Sequence, residues 1–145
     1  MQIQELGHVV LYVTDINRMA DFYRDTLGFR EIARDSFTAL FSGGRTHHEL
    51  LLIQIGGSPN PERHRGPGLY HIGFKIGDST EDIKEALVHL QEEGVPIIGT
   101  ADHTVTHSLY ILDPDGNELE LYADVSDIWK INPGAIMAPV KPLSL

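Results

Sequence analysis

The chain contains no cysteine. A disulfide framework, a thiolate metal site and a cysteine nucleophile are therefore all excluded, and any bound metal must take nitrogen and oxygen donors. Basic residues are scarce, with 11 Lys and Arg against 21 Asp and Glu and a formal charge of −10. Such a surface repels phosphate backbones and anionic lipid, so nucleic acid and membranes are not expected partners. No apolar run is long enough to span a bilayer. The opening residues MQIQELGHVV lack the basic start and apolar core of a signal peptide, so the expected location is cytoplasmic. At 145 residues with 41% hydrophobic residues, the chain is expected to form a single domain over residues 1–145 with a core of its own.

What is present is a repeat. The segment from His8 to Asp15 aligns without a gap on the segment from His71 to Asp78, and both alternate as half-buried strands do. A helical stretch follows each Asp, Ile16 to Leu27 and Ser79 to Glu93. Asp15 and Ser79 or Thr80 are the N-caps, and Gly28 and Gly94 the stops. Three strand-like pieces complete each half: 30–34, 39–42 and 49–55, then 96–99, 108–112 and 118–122. Asp113-Pro114-Asp115-Gly116 is a turn signal that makes the last two a hairpin. The expected fold is α+β: two βαβββ modules, about 1–57 and 67–124, forming a cupped mixed sheet around a central metal cleft. A Gly- and Pro-rich linker (56–68) joins them, and an extended, proline-bearing C-terminal tail (125–145) follows.

Pseudo-twofold packing of the modules makes the strands of His8 and His71 equivalent. Alternation in the closing strand puts Glu118, Glu120 and Tyr122 on one face and Leu119 and Leu121 on the other. Two imidazoles and one carboxylate form the facial triad of open non-haem iron sites, a set that also holds manganese, nickel or zinc. Taken singly, each of these residues is as well explained by ordinary structural roles. Together, the shared repeat position of the two histidines and the closing-strand position of Glu120 point to His8, His71 and Glu120 as metal ligands.

His8, Asp15, Phe22-Tyr23, Leu27-Gly28-Phe29, the run from Gly68 to Gly73 and the run from Asp113 to Tyr122 together resemble the vicinal oxygen chelate superfamily across residues 5–124. That superfamily holds glyoxalase I, extradiol dioxygenases, epimerases and antibiotic-resistance proteins. The segments from Arg45 to Leu52 and from Asp102 to Tyr110 are most similar to the catalytic half of extradiol, catechol 2,3-type dioxygenases. The resemblance implies a small aromatic diol as substrate, Fe(II) as cofactor and a homodimer as assembly. It also implies His48 as acid/base, with His103 and Tyr110 positioning substrate and oxygen. Many of these dioxygenases carry a second copy of the double module, which this chain lacks. Glyoxalase I resembles the same frame with a fourth ligand, for which Glu49 stands here; that set implies isomerase or lyase chemistry with Ni(II), Zn(II) or Mn(II). Neighbouring strand residues point to opposite faces, so His48 and Glu49 compete for the interior. A non-catalytic drug-binding protein is the third reading.

Overall fold

A computed structural model describes residues 1–59 and 66–145. Part of the expected linker, with His64, lies outside the described residues. The chain divides into two compact units, Met1–Pro61 and Glu62–Leu145. Each holds a four-stranded mixed sheet with a helix, in the βαβββ order expected.

In the first unit β1 (Val9–Val13) is followed by α1 (Ile16–Asp21), β2 (Glu31–Arg34), β3 (Thr38–Phe41) and β4 (Leu50–Gln54). The strand order is β1-β4-β3-β2, with β1 parallel to β4 and the other pairs antiparallel. Asp15 caps α1 by accepting from Arg18 N at 2.9 Å, which satisfies one of the free amides of the first turn. The expected helix over 16–27 differs in its second half, since Phe22–Thr26 winds as a π-helix. The wider turn keeps Tyr23 fully buried beside Phe41, their rings 5.9 Å apart, and Gly28 leaves it at φ +69°. Ile16, Met19 and Ala20 of the helix and Leu11, Val13, Leu50 and Leu52 of the sheet are likewise buried. Each of these side chains larger than Ala20 so removed from water stabilises the unit by about 1.5–3 kcal/mol. Val10 and Tyr12 alternate to the other face and remain exposed.

The second unit repeats the plan with β5 (His71–Gly77), α2 (Thr80–Glu92), β6 (Ile97–Asp102), β7 (Thr106–Leu112) and β8 (Glu118–Asp124), ordered β5-β8-β7-β6. Ser79 and Asp82 close a capping box on α2: Asp82 N donates to Ser79 Oγ and Ser79 N to Asp82 Oδ2. Ile83 and Leu90 of the helix are buried, as are Leu109, Ile111, Leu119 and Leu121 of β7 and β8. The β7–β8 turn satisfies itself. The Asp113 carboxylate accepts from Asp115 N, Asn117 N and Asn117 Nδ2, and Gly116 adopts φ +83°. That closed turn fixes the register in which Tyr110 lies opposite Glu120.

The tail is not continuously extended as expected. It forms 3-10 turns at Ile128–Lys130 and Pro133–Met137, the second started by Pro133 and by Asn132 Oδ1 accepting from Gly134 N. Beyond them it returns to the edge of β6, where Asp102 and Lys141 exchange two backbone hydrogen bonds of 2.9 Å.

Candidate functional site

Alternation along β8 gives Leu119 and Leu121 to the buried face and Glu118, Glu120 and Tyr122 to the other. On β7 the same rule sends Ser108 and Tyr110 toward Glu120. Glu120 Oε1 accepts from Ser108 Oγ at 2.6 Å and from Tyr110 Oη at 3.2 Å, while Oε2 lies 3.1 Å from His71 Nε2. Tyr110 Oη is also 2.8 Å from His103 Nε2. Since the phenol proton goes to Glu120, His103 is the donor in that second bond. Four of the expected residues, His71, His103, Tyr110 and Glu120, therefore form one connected group. All four line a cavity of about 520 Å³ in the second unit.

The backbone presents His103 actively. It stands in the tight β6–β7 connection, where Thr104 takes φ +72°, a region a β-branched residue seldom occupies, and Asp102 Oδ1 accepts from Thr104 N at 2.6 Å. Burial, reinforced by the charge of Glu120 and the hydrogen bond to it, holds the Tyr110 phenol well above its usual range. Tyr110 is thus a fixed proton donor at any working pH.

The donor set suits a divalent metal. Two ligands about 2.0–2.2 Å from one ion and at right angles lie about 3 Å apart, close to the His71–Glu120 separation. His71 Nδ1 is buried without a hydrogen-bond partner, its closest carboxylate oxygen being Glu118 Oε1 at 3.7 Å. Among the described residues, no group of three or more His, Asp or Glu side chains is gathered as a metal cluster; the donors stand in smaller sets within each unit.

The first unit holds His8, His48 and Glu49. The His8 and His48 rings are 4.5 Å apart at 34°, and His47 Nδ1 is 2.6 Å from His48 Nδ1. Loss of solvation, then the nearby imidazoles of His47 and His8, lowers the pKa of His48 against the opposing pull of Glu49. A neutral imidazole at physiological pH is fit to accept a proton.

Glu49 is differently employed. Its backbone extends the ladder one step beyond β4, with Val9 N donating to its carbonyl and its own N–H to Phe41 O. Its carboxylate is turned into the loop before β4, accepting from Gly43 N at 2.7 Å, Thr46 N at 2.9 Å and Arg45 N at 3.1 Å. Burial alone raises its pKa; the hydrogen bonds from Ser42, Thr46 and Gly43 and the charge of Arg45 outweigh that and hold it below the usual value. The repeat adds a second fact. Gly73 pairs with Glu120 in the second unit and Val10 with Leu51 in the first. Setting His8 on His71 sets Val10 on Gly73, so the counterpart of Glu120 is Leu51, an apolar side chain.

His107 serves structure: its Nδ1 pairs with Thr80 Oγ1 at 2.9 Å. Three participants escaped the sequence reading. Ser108 was findable, because it lies two residues from Tyr110 on one strand face. Trp129 and Ile136, which line the same cavity, were not, because only the folded tail brings them there.

This fold and donor set define a class, and comparison with known proteins agrees. The chain belongs to the Glyoxalase/Bleomycin resistance protein/Dioxygenase superfamily, whose family model matches residues 5–121. It is 35% identical over 122 residues to a catechol-2,3-dioxygenase of Bacillus subtilis (strain 168), covering 82% of this chain and 41% of that protein. It is 29% identical over 125 residues to a metallothiol transferase FosB of Staphylococcus epidermidis, covering 84% and 83%. Among solved structures, a glyoxalase/dioxygenase from Nostoc punctiforme superposes with TM-score 0.67 at 23% identity, covering 85% of this chain and 92% of that one, a likeness of fold. The chain spans from 38% to 63% of the length of the ring-cleaving relatives it matches. No helix among the described residues is long and apolar enough to cross a membrane.

Proposed function

We propose that the chain is a metal-dependent extradiol dioxygenase that opens a catechol-type aromatic diol with O2, with His8, His71 and Glu120 as the ligands of one Fe(II) ion. The observation that carries this reading is the connected run from His103 through Tyr110 to Glu120 beside His71, all facing one cavity. Three ligands leave positions at which Fe(II) would take both diol oxygens and provide a path for electrons to O2. Tyr110, held neutral, donates a hydrogen bond, and His103 keeps its hydroxyl oriented. Ser108 restrains the Glu120 oxygen that faces away from His71. His48, neutral and next to His8, accepts the proton a diol releases on binding.

A lyase, isomerase or thiol transferase is the second reading, supported by the 29% identity to a metallothiol transferase FosB of Staphylococcus epidermidis. Against a four-ligand isomerase site stand the commitment of the Glu49 carboxylate to three loop amides and the apolar Leu51 at the repeat counterpart of Glu120. The test is to load anaerobic protein with Fe(II), add catechol and admit air. One O2 consumed per yellow ring-fission product supports the proposal; turnover of a hemithioacetal, with catechol inert, supports the second reading.

A further inference from the structure

Each module sets a carboxylate opposite its repeated histidine. In the second unit His71 and Glu118 are paired across β5 and β8; Glu49 stands at the corresponding point of the first, one step before the pair of Val9 and Leu50. The two carboxylates are used differently. Glu49 is turned into loop amides, whereas Glu118 shares a face of β8 with Glu120 and approaches the ring of His71.

His71 therefore stands between two carboxylates, one at each ring nitrogen. Nε2 is 3.1 Å from Glu120 Oε2, and Nδ1 is 3.7 Å from Glu118 Oε1. Both glutamate side chains are largely withdrawn from solvent. Glu118 is itself held, because the Tyr70 hydroxyl donates to its carboxylate and the Tyr70 ring stands 4.6 Å from that of His71. This run parallels the one from His103 through Tyr110 that restrains Glu120.

A neutral imidazole carries one proton for two nitrogens. With the proton on Nε2, it goes to Glu120 and leaves a buried Nδ1 lone pair facing the Glu118 carboxylate, an unfavourable contact. With the proton on Nδ1, it points to Glu118, and Nε2 presents its lone pair beside Glu120, as a shared metal requires. The separation at Nδ1 is about 0.5 Å beyond hydrogen-bond reach, a gap that a small change in side-chain torsion closes.

Resting on the assignment of His71 as a metal ligand, we infer that Glu118, steadied by Tyr70, is the positioning residue that keeps the His71 proton on Nδ1 and its Nε2 lone pair free for the metal, and so sets the affinity of the site.

The experiment uses the full chain with isotope-labelled histidine and Zn(II) as a diamagnetic probe. Proton–nitrogen correlation spectra of the rings are recorded with and without Zn(II), His71→Ala assigns the signals, and Zn(II) affinity is measured by competition with a chelator. In the loaded parent, His71 should carry its proton on Nδ1 and bind metal through Nε2. Glu118→Gln should weaken Zn(II) binding about 10–100-fold and move the Nδ1 proton resonance to higher field, because a charged acceptor is lost. Tyr70→Phe, at a residue 63% exposed and outside the core, should do both to a smaller degree. Parental affinity and an unmoved Nδ1 proton in Glu118→Gln overturn the inference and leave His71 a ligand. Weaker binding with an unmoved Nδ1 proton also overturns it, since the carboxylate would then act through charge alone. A proton that stays on Nε2 in the loaded parent removes His71 from the ligands, and with it the reading on which the inference rests.

Discussion

Tyr110 and Glu120 face each other across the β7–β8 ladder, and the phenol donates to the carboxylate at 3.2 Å while receiving a hydrogen bond from His103 at 2.8 Å. Replacing Tyr110 by Phe removes the hydroxyl from the middle of this run without changing the ring. The expected loss in kcat is about 10–100-fold, the scale for removing a hydrogen-bond partner of a metal-ligating side chain. Iron content should match the parent, because the ligands are untouched. Steady-state kinetics with metal analysis of the same sample checks both.

Glu49 is expected to act through the loop it closes. Glu49→Gln should lower stability by about 1–3 kcal/mol, since three backbone amides lose a charged acceptor, and should leave metal stoichiometry unchanged. Urea unfolding followed by metal analysis separates this from a ligand role, in which metal would be lost.

The same carboxylate gives a pH signature. Its folded pKa lies below its ordinary value of 4.5, so its stabilising contribution is full above that value and is lost as pH falls through the lowered one. Between pH 6 and acid conditions the parent should lose more stability than Glu49→Gln. Melting curves of the two proteins running parallel down to about pH 3 would contradict this account.

Away from the site, Ser79→Ala breaks the capping box of α2 and should cost about 1 kcal/mol. Activity per folded molecule should not change. Thermal unfolding and a kinetic assay on the same preparation test the pair of statements.

Much of this was legible in the chain because each signal was local and occurred twice. His8 and His71, Asp15 and Ser79 at the helix starts, and Gly28 and Gly94, both at φ +69°, mark corresponding points of two modules. The strand faces of β8 followed from alternation. What alternation could not resolve was His48 against Glu49, because both precede β4, and their directions are set by loop amides and by the His8 ring. Nor does a 3.6-residue period show the π-helix at Phe22–Thr26, within which Tyr23 is buried. The cavity wall at Trp129 depends on contacts made from residue 102 to residue 141, a separation no sequence window spans.

The central claim is that His71 and Glu120 share a metal ion with His8, and metal analysis of His71→Ala tests it most directly. Protein loaded anaerobically with Fe(II), then desalted, should hold about one iron per chain in the parent and nearly none in the variant. Circular dichroism should show both folded. Iron held by a folded His71→Ala protein at the parental stoichiometry and affinity would contradict the assignment.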